Sequence, residues 1–336
     1  MRKKGIVVII ITILFGLSMI ISIPIIILSY GFSSYTTIEH YEYHEYTPID
    51  SFEIEDLNLN VDVGNIEITY NYAPVDYHVR IELNIEMSGK NLIGENYIDF
   101  FSVDWGNIST NPSFSMKLLS DTWFDTSIWY KKNVSIIITL NANILFDINC
   151  TVNKEGSVEV LVPFGIHINN VAINVSKGNI LYDFPYCFIE GNITGYVNSG
   201  DIELKVNNAM YVRNSIWDLS NNKGTIVFDI IQYKEMGANI TGIGETNNGQ
   251  IQVIYKDYNP NVGALFTFHN IVAYGDSIWN GFNPEIETNE NKWWLSRFLF
   301  YSDNFPAKNH YNISLYRHNR EGDYLYNLLN INTTIS

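Results

Sequence analysis

Cysteine is scarce, with two residues, Cys150 and Cys187, in a chain of 336. A disulfide framework would need more in a chain this long. The two do not lie a whole number of repeats apart. They are therefore read as small buried apolar side chains rather than a bridge.

Positive charge is the second shortage. Twenty Lys and Arg stand against 36 Asp and Glu, a net charge of −16. Three of those twenty, Arg2, Lys3 and Lys4, lie at the N-terminus, and no other basic residue precedes position 80. The first 32 residues contain no acid, so residues 33–336 carry 17 basic against 36 acidic groups, a net −19. Such a surface repels nucleic acid and anionic headgroups, which excludes nucleic acid as a partner. It suits an exterior domain, a cation-binding surface or a partner with basic patches.

Catalytic signatures are the third absence. Gly-x-Ser-x-Gly, His-Glu-x-x-His and phosphate-binding loops do not occur. Ser302-Asp303-Asn304 occurs once, without a Ser-x-x-Lys partner, and is a chance match. No catalytic residue, cofactor or metal site is assigned, and the chain is read as non-enzymatic.

What is present begins with an uncharged apolar run from Gly5 to Phe32 behind Met1-Arg-Lys-Lys4. About 20 residues suffice to cross the hydrocarbon layer as a helix. A signal peptide has an apolar stretch of only ~7–15 residues and a small-x-small cleavage site, whereas this run is longer, rich in Ile and not ended by an Ala-x-Ala pattern. The basic cluster stays inside, so the bulk of the chain is placed outside. Pro24 is tolerated in such a helix, and Tyr30 and Tyr35 fall at the interface. The expectation is a retained single-pass anchor over 1–32, rather than a signal cut near Ser29 to Ser34. A polar stalk follows over 33–51.

From Phe52 the chain is rich in β-branched and aromatic residues, which favour strands. It also holds 42 Asn, a residue suited to tight corners. Six segments share one pattern: Gly64-Asn-Ile-Glu-Ile68, Gly156-Ser-Val-Glu-Val160, Gly178-Asn-Ile-Leu-Tyr182, Gly200-Asp-Ile-Glu-Leu204, Gly224-Thr-Ile-Val-Phe228 and Gly249-Gln-Ile-Gln-Val253. The last five glycines are 22, 22, 24 and 25 residues apart. A fixed period of this size marks a solenoid. Ile or Val two residues after Gly, and the apolar residue two further on, share one strand face. A 22-residue coil has a contour of ~73 Å, enough for three short strands and three corners. Stacking would place Ile180, Ile202, Ile226 and Ile251 in one inward column, with Gly178, Gly200, Gly224 and Gly249 along one edge. A β-sandwich with regular turns is the alternative fold.

The segments Ser199-Gly-Asp-Ile-Glu-Leu204, Gly64-Asn-Ile-Glu-Ile68 and Gly156-Ser-Val-Glu-Val160 resemble the prokaryotic "putative adhesin" family. The resemblance covers about residues 52–257, apart from an aromatic insertion over 87–132. It implies an N-terminal membrane segment joined to a β-solenoid, with no catalytic residues to carry over. The expected fold is all-β: a right-handed parallel β-solenoid of about 22-residue coils over 52–256, preceded by one transmembrane helix. The insertion at 87–132 is an aromatic subdomain. Residues 257–336, with Trp279, Trp293, Trp294, Phe298 and Phe300, are expected to cap the last coil.

Several residue groups are candidates for chemistry. His40, Glu42 and His44 share one face if the chain is extended, a ligand set for a divalent metal set against a solvated linker. The corner column Asn179, Asp201, Thr225 and Gln250 has one carboxylate, too few for Ca²⁺, and reads as side-chain ladders. Glu67, Glu159 and Glu203 share a repeat position, with Leu181 between the last two. Asp99, Asp104, Asp121 and Asp125, with Trp105 and Trp123, would line the cleft of a carbohydrate-active β-helix enzyme. Eight sequons are candidate glycosylation sites: Asn107, Asn133, Asn149, Asn174, Asn192, Asn239, Asn312 and Asn332. In Val171-Ala-Ile-Asn-Val175 the Asn should face out. The leading expectation is a non-enzymatic cell-surface binding, adhesion or envelope scaffold protein. Its partners would be the membrane, through the N-terminal helix, and a surface polymer, glycan or envelope protein. The carbohydrate-active enzyme is the alternative.

Overall fold

The computed structural model describes residues 35–47, 54–90, 96–106, 112–232, 238, 240–257, 266–281, 309–318 and 324–335. The expected anchor over 1–32 lies outside these residues. No helix among the described residues is long and apolar enough to cross a membrane.

The chain is all-β. The strands are β1 (Tyr35–Tyr46), β2 (Ile54–Val63), β3 (Asn65–Asn71), β4 (Val79–Lys90), β5 (Phe101–Asp104), β6 (Ser113–Leu118) and β7 (Trp129–Asn141). There follow β8 (Leu145–Glu155), β9 (Val158–Leu161), β10 (His167–Ile168), β11 (Val171–Lys177), β12 (Ile180–Pro185), β13 (Phe188–Ile189) and β14 (Ile193–Ser199). The last are β15 (Ile202–Asn207), β16 (Met210–Tyr211), β17 (Ser215–Gln232), β18 (Ile240–Asp257), β19 (Phe266–Gly281), β20 (Asn309–His318) and β21 (Tyr324–Ile335).

Successive Gly units pair in parallel and in register. Along the first ladder, Ile66 lies opposite Val158, Val158 opposite Ile180, Ile180 opposite Ile202, Ile202 opposite Ile226 and Ile226 opposite Ile251. All six side chains are buried. The parallel register excludes the sandwich arrangement, in which successive units would be antiparallel or in opposite sheets. The second ladder runs β2, β8, β11, β14, then the first halves of β17, β18 and β19. A short third ladder joins β10, β13 and β16. One repeat is thus three strands, as in β14, β15 and β16. Burial of an Ile side chain contributes ~1.5–3 kcal/mol, and each repeat obtains it only from its neighbours.

The glycines sit at the corner between the first two ladders. Gly200 has φ +144, and a Cβ there would overlap the carbonyl of Gly178. The same close approach recurs from Gly156 to Gly249. The side chain is missing because the repeat below occupies its space.

Three expected boundaries are corrected. The stalk is a strand: β1 pairs antiparallel with β4 over twelve residues, Tyr35 to Tyr46. The insertion does not begin at 87 or end at 132, since those positions fall inside β4 and β7, which pair antiparallel with each other. Between them, β6 adds in parallel to the edge of β2, and Phe100, Phe101, Phe114 and Trp123 are buried. Phe101 meets Trp123 edge-on at 5.4 Å, and Trp105 lies 4.9 Å from Phe114. These rings close the first end of the core, where an isolated repeat would expose its apolar side. The repeat also does not end at 256. β19 pairs in parallel with β18, placing Gly275 opposite Gly249, and β21 pairs in parallel with β19.

Candidate functional site

Several of the candidate groups are engaged in hydrogen bonds within the fold. Along the glycine corner, the Asn65 Oδ1 accepts the Ser157 N–H at 3.1 Å, and the Ser157 Oγ accepts the Asn179 N–H at 3.1 Å. The Asn179 Oδ1 accepts the Asp201 N–H at 2.9 Å, and the Asp201 Oδ1 accepts the Thr225 N–H at 2.7 Å. The side chains after Gly64, Gly156, Gly178 and Gly200 thus each cap the backbone of the next repeat, as a side-chain ladder. A second corner does the same. Asp147 Oδ1 accepts the Asn170 N–H at 3.1 Å, Asn170 Oδ1 the Asn192 N–H at 3.0 Å, and Asn192 Oδ1 the Ile216 N–H at 2.9 Å.

His40, Glu42 and His44 do share a face of β1, as the alternation requires. They form a clamp: the Glu42 Oε2 lies 3.2 Å from His40 Nε2, and its Oε1 3.0 Å from His44 Nε2. The His40 ring stacks on Tyr97 at 3.7 Å and the His44 ring on Trp105 at 4.2 Å. The His44 hydrogen bond, followed by that of His40, lowers the Glu42 carboxyl below its ordinary value against the opposing effect of burial. Among the described residues, no group of three or more His, Cys, Asp or Glu is disposed to hold a metal.

The insertion's carboxylates are used in turns. Asp99 Oδ2 accepts the Asn96 N–H at 3.1 Å, and Asp104 Oδ1 the Gly106 N–H at 3.0 Å. Asp125 Oδ1 accepts the N–H of Ser127 at 2.9 Å and its hydroxyl at 2.6 Å, which lowers the Asp125 carboxyl. Asp121 opens the short 3-10 turn Asp121–Phe124. Trp123 is buried, and Trp105 packs under His44, so neither indole forms a cleft wall. Glu67 lies opposite Glu159 on the exposed side of the first ladder, Leu181 separates Glu159 from Glu203, and Glu203 pairs with Lys205 at 3.0 Å. Cys150 and Cys187 are free and buried, and burial pushes both thiols up to about 12.

Of the sequons, Asn149, Asn174 and Asn192 are exposed and Asn133 is half-buried. Asn174 faces out between buried Ile173 and Val175. Asn312 and Asn332 oppose one another in the β20–β21 pair. Asn107 and Asn239 lie outside the described residues.

The sequence did not single out the outer face of the second ladder. Strand alternation brings two rows into register there. One row reads Asn58, Asn149, Ala172, Thr194, Asp218; the other reads Asn60, Thr151, Asn174, Tyr196, Ser220. Ala172 is the one small side chain in its row, and the surface dips over it. A depression of about 290 Å³ lies there, lined by both rows from Asn149 to Asp218 and Ser220. A second, of about 370 Å³, continues it across β8, β2 and β6 and shares Asn149 and Thr151. Asp104 and Gly106 from the insertion border this second part. The polar residues at alternate positions of β8, β11, β14 and β17 are the signal that marks this face. Nothing in the repeat motif marks the dip.

No family model and no curated protein matches the chain. Among solved structures, the chain is similar to a "putative cell adhesion protein" from Clostridium sporogenes ATCC 15579. The identity is 14%, over 65% of this chain and 100% of that one, with a TM-score of 0.37. It is similar to a "putative adhesin" from Bacteroides fragilis NCTC 9343 at 12% identity, over 72% of this chain and 94% of that one, with a TM-score of 0.25. Another, from Parabacteroides merdae ATCC 43184, is 10% identical over 73% and 94%, with a TM-score of 0.24. Likeness at this level carries no argument about function.

Proposed function

We propose that the chain is a non-enzymatic cell-surface binding or envelope scaffold protein, a right-handed β-solenoid held at the membrane by residues 1–32 with its bulk outside. The observation that carries this reading is that carboxylates at the corners and in the insertion are engaged by hydrogen bonds from neighbouring repeats and turns. The corner carboxylates Asp147 and Asp201 accept backbone N–H groups, and Asp99, Asp104 and Asp125 cap turns. What remains open on the second ladder is a broad face of amides and hydroxyls, suited to holding a partner. The uncharged run behind Arg2, Lys3 and Lys4 supports the anchor, and the net −16 supports an exterior location. The test is protease added to intact cells. The bulk of the chain after Phe32 should be digested, with the N-terminus retained in the membrane fraction. A fragment released near residue 30 would replace the anchor by a cleaved signal. Full protection of the bulk would refute the exterior location.

A further inference from the structure

We infer that the trough on the outer face of the second ladder is a binding site for a neutral oligosaccharide or polysaccharide. This rests on the surface-binding reading and assigns it a site and a ligand class. The floor is a sheet interior: β8, β11 and β14 each have a paired neighbour on both sides. Their backbone groups are already satisfied, so an extended peptide cannot add to them as a further strand. Only side chains are available to a ligand. Those at the centre are Asn149, Thr151, Asn174, Thr194 and Ser220, uncharged groups that both donate and accept. Sugar hydroxyls do the same and match such a lining.

Two further features point to a sugar. Tyr196, 41% exposed, lines the trough and offers a ring face on which the C–H side of a pyranose can pack. Ala172 leaves the space that an intermediate-sized side chain would fill. The two connected depressions cross six strands, from β6 to β17. At ~4.8 Å per strand spacing, that is a track of ~24 Å, long enough for several rings. Asp104 and Asp218 border the track and the whole chain is acidic, which disfavours polyanions. Asn60 is held in place by the Asn153 amide at 2.8 Å, so part of the lining is pre-ordered.

The test uses the full-length chain in a zwitterionic detergent, since sugar-headed detergents would compete. Neutral gluco-, manno- and N-acetylglucosamine oligomers of two to six units are titrated by calorimetry. Oligogalacturonate serves as the charged comparison. At least one neutral series should bind, more tightly with length, and oligogalacturonate should not. Tyr196→Ala should weaken binding at least tenfold. Ala172→Arg, which fills the dip from the solvent side, should abolish it. Glu203→Gln, on the other ladder, should change it less than twofold. Circular dichroism and melting temperature confirm that each variant folds. If Tyr196→Ala does not fold, Tyr196→Phe, which keeps the ring, should retain binding within threefold and Ala172→Arg decides. Three results would overturn the assignment: no neutral series binds, binding survives Ala172→Arg, or peptide mass spectrometry finds Asn149 or Asn174 already bearing a glycan. The surface-binding reading fails separately, by the protease test, and would survive capture of a peptide or anionic polymer that leaves the trough empty.

Discussion

Ile202 is the test of the inward column. It is fully buried, with Ile180 and Ile226 as its register neighbours on either side. Ile202→Ala removes three carbon groups, ~2.4 kcal/mol at ~0.8 kcal/mol each, before any cavity is counted. Both neighbours are β-branched and held by paired strands, so collapse into the gap is restricted. The expected loss is ~3–4 kcal/mol, within the ~2–5 kcal/mol found for such truncations. Ile202→Val should cost ~1 kcal/mol, and Ile202→Asp, which buries an unpaired charge, should cost more than Ile202→Ala. Glu203→Asp is the control: it alters an outward pair with Lys205, and surface pairs contribute ~0–1 kcal/mol. Urea unfolding of the full-length chain in detergent, followed by fluorescence and circular dichroism, gives the free energies. Hydrogen exchange gives the reach, which should centre on β12, β15 and β17, because each repeat is stabilised by its neighbours. A loss below ~1 kcal/mol for Ile202→Ala would refute the column. So would faster exchange in β1 and β4 with β12 and β17 unaffected.

Two further substitutions separate the causes of stability. Gly200→Ala meets both a positive φ and the Gly178 carbonyl, whereas Gly165→Ala, at φ +77, meets nothing within 4 Å. Strain alone costs ~1–2 kcal/mol, so Gly165→Ala should lose about that in urea unfolding and Gly200→Ala at least twice as much. Equal losses would show that close approach at the corner is unimportant. Glu42 has a lowered carboxyl, so its contribution is present above the ordinary glutamate range and is lost as pH falls through the depressed value. The stability difference between the wild-type chain and Glu42→Gln should therefore be present above the ordinary glutamate range and shrink as pH falls through the depressed value. Taking the difference cancels Glu55, whose carboxyl is raised chiefly by burial and whose contribution runs the other way, lost as pH rises. A difference independent of pH would refute the clamp.

The parts of this fold legible in the sequence are those where the same position repeats the same chemistry. The Gly, then polar, then Ile or Val pattern names the corner, the capping side chain and the inward column at once. The structure uses all three that way. Strand β1 was not legible because its alternation is reversed in the middle. Ile38 and Tyr46 are buried at its ends, but the positions between them on that face are His40, Glu42 and His44. Tyr41 and Tyr43 face solvent instead. Only the rings of Tyr97 and Trp105, far along the chain, make that polar stretch a packed surface. Strand β19 is not legible for a similar reason: Ser277 holds the register position that Ile251 holds one repeat earlier, so the hydrophobic signal lapses while the pairing goes on. Tyr182 adds a case where two repeats must be read together. Its ring is buried, its hydroxyl donates to the Thr194 carbonyl at 2.7 Å, and a Cβ on Gly195 would come within 3.0 Å of that hydroxyl. Gly195 looks like a flaw in β14, yet it makes room for a tyrosine thirteen residues earlier. The trough follows the same logic on the outside: Ala172 has meaning only beside Asn149 and Thr194, which the register, and not the chain, makes its neighbours. A period can be read from one strand, but a surface in a stacked fold is written across strands. A site there is therefore found only once the register is known.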